Sequence, residues 1–290
     1  MTTASTADTS RKRPTGESVG IPPRRISFPH GELNRYFCGN NPFASHAVSL
    51  LSGVFPEGER FFMDSVKHYR QQITDPVLQA KVSGFIGQEA LHGREHDRLN
   101  DQLRTLGIPV GYAERAVRIG LWPLRRLSPL MQLACTTVME DFTAALAESL
   151  LRNPEFQAQV HPANRGIWLW HCVEELEHKS VAFSVYKQVG GTDRRRRVAV
   201  GLVLAALLPT FAVALACMLA REGSLFKRGM YKEGFGLIFG RYGLMNRVPK
   251  IFKHSLKDGF HPEQHDTRAL EEAWRQALFG EQGSLTAHMA

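Results

Sequence analysis

The chain has 290 residues, 43% of them hydrophobic and 22% charged, with a formal net charge of +8. That balance suits one large globular domain or two modest ones, and excludes an intrinsically disordered chain or a low-complexity fibre. Cys38, Cys135, Cys172 and Cys217 stand far apart with no C-x-x-C pair. This excludes a disulfide framework or a cysteine-built zinc site and reads as buried thiols in a reducing compartment.

Residues 1–26 are polar and basic, with no apolar stretch of the kind a secretory signal needs, so they are expected to be a disordered tail. Residues 41–54 read as a short helix leading into a second one that starts at Pro56. Glu57 would then lie in a first turn, where the helix dipole favours an acid. Asp75-Pro76 opens a long helix that Gly107 stops. Residues 108–127 read as a connector with a helical turn or more. A third long helix runs from about Ser128 to Arg152 and is broken by Asn153-Pro154. A fourth runs from about Pro162 to Val189 and ends at Gly190-Gly191. Strand-type alternation is nearly absent, so the fold class is all-α.

Two of these helices carry the same element. "FIGQEALHGREHDRL" (85–99) places Glu89, His92 and His96 on one stripe, and "WLWHCVEELEHKSVAF" (168–183) does the same for His171, Glu175 and His178. Both stripes lie among apolar residues, where an unpaired carboxylate costs several kcal/mol and a divalent cation removes that cost. Glu89-x-x-His92 and Glu175-x-x-His178 form a repeated Glu-x-x-His. Carboxylate-bridged di-metal bundles take one such element from each of two helices and a lone glutamate from each of two others. The lone glutamates are Glu59, in "LLSGVFPEGERFFMDSVKHY" (50–69), and Glu140, in "LMQLACTTVMEDFTAALAESLL" (130–151). Asp141, next to Glu140, is expected to orient a histidine. Cys172 adjoins a proposed ligand but points about 100° away, and a structural role is favoured for it.

The pattern resembles the ferritin-like di-iron carboxylate proteins. The stretches "NPFASHAVSLLSGVFPEGERFF", "FIGQEALHGREH" and "VEELEHKSVAF" resemble a bacterial family described as predicted metal-dependent hydrolases, with a weaker echo in "DGFHP" (258–262). His171, four residues before Glu175, is similar to a feature of di-iron N-oxygenases that act on aryl amines. The resemblance implies a ferritin-like four-helix bundle with Glu59, Glu89, His92, Glu140, His171, Glu175 and His178 as metal ligands. His96 has no counterpart in that pattern and is a candidate proton shuttle, further ligand or outer donor. Glu174 and Glu177 point to other faces, toward solvent or arginines.

After Gly191 the composition changes. "DRRRR" (193–197) precedes 23 uncharged residues, 198–220, with Pro209 near the centre. That length spans a bilayer, and basic flanks on both sides fit a single helix or a hairpin bent at Pro209. The divisions expected are 27–192 for the bundle, 193–223 for the hydrophobic segment and 224–290 for a basic helical region. Basic residues there alternate with apolar ones, which points to anionic lipid and away from nucleic acid. His254, His261 and His265 read as loop or surface histidines.

Three functions are weighed. The first is a non-haem di-iron enzyme that oxidises an apolar substrate with O2, supplied by a separate electron donor because no dinucleotide fingerprint is present. The second is a hydrolase with a water activated by two metals. The third is a non-catalytic metal-binding protein. The cofactor is two metal ions, with iron ahead of manganese or zinc. The expected location is cytoplasmic, at the inner face of the membrane, and a homodimer is an option.

Overall fold

The structure, a computed structural model, describes residues 14–28 and 32–290. The helices follow in chain order as α1 (Pro42–Lys67), α2 (Pro76–Thr105), α3 (Gly111–Leu124), α4 (Pro129–Leu151), α5 (Pro154–Gln159), α6 (Pro162–His178), α7 (Val181–Gln188), α8 (Asp193–Arg221), α9 (Gly229–Phe239), α10 (Val248–Ser255) and α11 (Arg268–Phe279). Only isolated β-bridges, Ile26 with Met289 and Cys38 with Val160, join extended segments among the described residues. The fold is the all-α bundle expected.

Local chemistry sets the helix starts. Proline occupies the first turn of α1, α2, α4, α5 and α6, where its missing N–H costs nothing. Asn41, Asp75 and Asn153 accept backbone N–H bonds as N-caps. α1 packs on α2, α2 on α6, α6 on α4 and α4 on α1, so four helices close a ring. α3 and α8 lie outside it against α1 and α4, and α8 crosses α3 so closely that a Cβ on Gly120 would sit 2.7 Å from Leu207 Cδ2.

Pro56 does not start a helix; it lies inside the continuous α1. Proline at this position leaves the Ser52 carbonyl without its helical donor. Asn100 of α2 supplies one, its Nδ2 lying 3.2 Å from that carbonyl. A distant side chain thus repairs the defect, and α1 runs on. Glu57 is consequently a mid-helix residue, paired with Arg60 and Arg125.

The connector, expected to hold a helical turn or more, holds a helix of 14 residues, α3. Two further expectations change. The fourth long helix divides at Lys179–Ser180 into α6 and α7. Residues 14–26 are not a loose tail: they lie along α2 with Ile21, Arg24 and Ile26 buried, because α2 presents Gly84 where Ile21 must pass. The expectation for residues 1–13 lies outside the described residues.

Residues 198–220 form part of one uninterrupted helix, and the hairpin is not seen. Pro209 removes a single bond, to the carbonyl of Ala205, which faces outward. Among the described residues α8 is the one helix long and apolar enough to cross a membrane, and only 28% of its apolar stretch is buried. Arg196 does not join a basic rim. It is buried, 3.4 Å from Asp141 and close to the rings of Phe183 and Phe260.

The repair of α1 is testable. Replacing Asn100 by alanine should lower stability by about 1–3 kcal/mol, since a buried carbonyl loses its donor. Adding Pro56→Ala, which restores an N–H to Ser52, should recover part of that loss. Denaturant unfolding of both single variants and the double variant measures the coupling. Strict additivity would show that Asn100 stabilises α1 by some other contact.

Candidate metal centre

Each helix of the ring delivers its glutamate to the same place. Glu59 comes from α1, Glu89 and His92 from α2, Glu140 from α4, and His171, Glu175 and His178 from α6. All seven are buried. Donor atoms of Glu59, His92 and His171 lie within 4.8 Å of one another, as do those of Glu89, His92 and Glu175, and those of Glu89, Glu140 and His178. His178 Nε2 is 3.1 Å from Glu89, 3.6 Å from Glu140 and 3.7 Å from Glu175. His171 Nε2 is 2.9 Å from Glu175 and 3.8 Å from Glu59, and His92 Nδ1 is 3.7 Å from Glu175. The structure therefore brings together every residue of the sequence-derived set. α2 passes close at this level: a Cβ on Gly93 would lie 3.1 Å from Glu59 Oε2.

The outer partners decide which nitrogen of each histidine faces the carboxylates. His92 Nε2 is 3.0 Å from Glu174, whose carboxylate accepts the ring N–H and leaves Nδ1 pointing inward. Gln88 Oε1 accepts from His178 Nδ1 at 3.0 Å, and its amide is oriented by the bonds its Nε2 donates to Glu177 and the Pro22 carbonyl. That leaves His178 Nε2 inward. The third case is a relay. Ser52 Oγ donates to Asn100, so it accepts from His96 Nδ1; His96 Nε2 then accepts from His171 Nδ1 at 2.7 Å. His171 Nε2 is left inward. Three different devices thus produce one result, a ring nitrogen turned toward the glutamates.

The electrostatics of the cluster by itself are strained. Burial, followed by repulsion from Glu89, drives the Glu59 carboxyl far above its usual range, and Glu140 behaves likewise. Burial pushes Glu89 up to about 7, with His178 opposing. Burial would raise Glu175 too, but His178 and His171 outweigh it and hold it low. The same contacts keep a proton on His178 despite its burial. Neither oxygen of Glu59, Glu89 or Glu140 makes a hydrogen bond, nor do Glu175 Oε2, His92 Nδ1 and His178 Nε2. Buried, unbonded oxygen and nitrogen donors from four helices form a set that fits divalent metal ions.

Some assignments change. His96 is not at the centre; it holds His171 from behind. Asp141 orients no histidine. One residue beyond Glu140, it points to another face and pairs with Arg196. Glu174 and Glu177 do meet an arginine, Arg24, but they are fully buried, and Glu174 reaches His92 as well. The sequence reading missed Gln88, Ser52 and Asn100 as outer partners. Arg24, from the supposed tail, anchors the carboxylates that hold His92 and Gln88.

A largely apolar cavity of about 330 Å³ adjoins the cluster. Glu59 and Thr143 are the polar side chains in its wall; Phe62, Leu121, Met139, Leu207 and Phe252 are typical of the rest. A much smaller cavity, sharing Leu51, Phe55, Thr143 and Leu146 with the first, reaches His171 and Glu175 from another side.

Comparison with known families gives one match: residues 22–266 match the family described as "predicted metal-dependent hydrolase", and the chain belongs to it. No curated protein and no solved structure matches the chain. Family membership and the buried histidine–glutamate clusters together support a metal-dependent enzyme.

Two outcomes are expected. A carboxyl whose folded pKa is raised favours the fold below its unfolded value of about 4.5 and loses that contribution as pH rises through the folded value. Metal-free protein should therefore lose stability as pH rises from about 5 past 7, with Glu89 alone worth roughly 3 kcal/mol. Thermal unfolding against pH, with and without added metal, checks this, and a flat metal-free profile would contradict it. Separately, Glu174→Ala should weaken metal binding by about 10–100-fold while every ligand remains; competition with a chelator reads the change.

Proposed function

We propose that this member of the predicted metal-dependent hydrolase family is an enzyme that binds two metal ions with Glu59, Glu89, Glu140, Glu175, His92, His171 and His178, and that acts on an apolar small molecule. The observation that carries the reading is the orientation of the three histidines. Outer partners on three separate helices turn one nitrogen of each toward the same four glutamates. Structural burial alone gives no reason for three coincident tautomers. Glutamates from four helices and a Glu-x-x-His from each of two support the reading of a ferritin-like di-metal bundle.

Bound metals would supply Lewis acidity and an activated water, or, if they are iron, electrons for dioxygen chemistry. The protein's own part can be stated residue by residue. Glu89, 3.1 Å from His178 Nε2 and grouped with His92, Glu140 and Glu175, would hold metal from the α2 side. His96 and Ser52 keep His171 in one tautomer. Phe55, its ring tilted against those of His96 and His171, lies between the centre and both cavities. The apolar wall keeps bulk water away from whatever lies beside Glu59.

Hydrolysis is the reaction the family description supports. Oxidation is a second reading, favoured by a specific feature. Apart from Glu59 and Thr143, the cavity wall has no side chain to hold a polar scissile bond. A hydrocarbon needs no such group. In that reading a separate reductase supplies the electrons.

The decisive measurement is the metal content of protein purified without oxygen. About two ions per chain are expected, falling to about one or fewer in Glu89→Ala. Zinc or manganese with hydrolytic turnover and no response to oxygen selects hydrolysis. Iron with a transient visible absorbance on exposure to oxygen selects oxidation. A wild-type protein that takes up no metal under either condition sinks the proposal.

A further inference from the structure

We infer that the substrate is a single-chain amphiphile with an anionic head, drawn tail-first out of an anionic membrane leaflet through an opening between α8 and α10. This rests on the reading of the buried cluster as the metal centre. The argument starts from the cavity beside Glu59. Its walls come from α1, α3, α4, α8 and α10, and α8 contributes Val203, Leu204, Leu207, Leu208 and Phe211. Two of these belong to the outer surface as well: Leu204 is 41% exposed and Leu208 is 59% exposed. Pro249 of α10, another wall residue, is exposed too. The cavity therefore reaches the surface beside these residues, and its rim is as apolar as its interior.

The surface around the rim is unusual in the same way. Val198 and Val213 of α8, with Ile119 and Trp122 of α3, are each more than half exposed. α3 and α8 pack together, so these side chains lie on two adjoining helices. Such apolar exposure in water is costly, and a bilayer relieves it. On the α10 side the chemistry is different. Arg247, Lys250 and Lys253 are exposed on the outward side of the α10 segment, whose inward side supplies the wall residues Val248 and Phe252, and no acidic partner is seen for them among the described residues. A row of free cations beside an apolar slot matches an anionic headgroup above a hydrocarbon tail.

Orientation follows from where the charges sit. The cations lie on the exposed side of α10 and buried Glu59 lines the interior, so an anionic head is attracted outside and repelled within. The tail enters first. A carbon of the chain, not the head, comes to rest beside Glu59. Nucleic acid, the other polyanion that a basic surface attracts, has nothing to place in the slot.

The test uses the full chain loaded with metal and palmitate carrying a nitroxide near its methyl end. Palmitate should bind with its nitroxide immobilised. Leu208→Trp, a partly exposed position that tolerates bulk, should weaken binding by about tenfold or more, and Leu207→Trp should do so from deeper in the slot. Reversing the three charges with Arg247→Glu, Lys250→Glu and Lys253→Glu should weaken palmitate but spare its uncharged methyl ester. Sedimentation with phosphatidylglycerol vesicles, but not with phosphatidylcholine vesicles, should carry the protein down. Unchanged palmitate binding in both tryptophan variants overturns the slot, and equal effects on acid and ester overturn the headgroup contact. A protein that binds palmitate yet sediments with neither vesicle overturns the membrane source and points to the free acid. Metal content is measured in every sample. Full metal with no palmitate binding defeats this inference alone, whereas absent metal defeats the reading beneath it.

Discussion

Four carboxylates and three imidazoles sit together out of water, and the rest of the molecule is organised around making that tolerable. Each buried ionised group costs several kcal/mol unless it is paired. Inside the cluster the partial answer is protonation: Glu59, Glu89 and Glu140 are pushed up, and Glu175 shares charge with His178 and His171. Outside it, Arg24, Gln88, Glu174, Glu177 and His96 hold the rings and neutralise one another. The ring of α1, α2, α4 and α6 supplies the scaffold, and the close passage at Gly93 lets α2 approach Glu59 without collision.

Much of this was legible in the chain. Glu-x-x-His repeats are read from the helical period alone, because i and i+3 must share a face. Lone glutamates in apolar runs are read from cost alone. Both signals are local, and Glu59, Glu89, Glu140 and Glu175 converge as local reasoning requires. The outer partners were not legible for the complementary reason. Glu174 and Gln88 stand beside ligands in sequence, but a helix face says nothing about what packs against it. Arg24 bonds to Glu174 from a segment 150 residues away, so its role depends on the tertiary fold. Asp141 was misplaced because Arg196, its partner, lies on another helix. Pro56 illustrates the same limit. Its effect on α1 depends on Asn100, whose proximity no local pattern announces.

α8 combines two tasks. One of its faces is wall: Val203 and Leu207 are buried against the bundle and the cavity. The other is surface, with Val198, Leu208 and Val213 in the open. A helix that served only as core would be buried throughout, and one that crossed a bilayer alone would not need Arg196 buried on Asp141. Its amphipathic partition is therefore between protein and exterior, with almost no polar residue on either side. That partition is why hydrophobicity alone leads to a membrane reading of residues 198–220, although part of the helix is core.

Glu177 has a further implication, for the order in which the molecule is completed. It accepts from Arg24 on one side and from Arg275 of α11 on the other, and Arg24 in turn lies 4.4 Å from the centroid of the Phe279 ring. Segments from both ends of the described chain therefore meet on one residue of α6. During synthesis all seven donors leave the ribosome well before α11 does. Until α11 follows, the seven buried residues of the cluster are made but lack their full outer buttress. Completion of the cluster's surroundings is thereby tied to a segment made after it, although that segment adds no residue to the cluster.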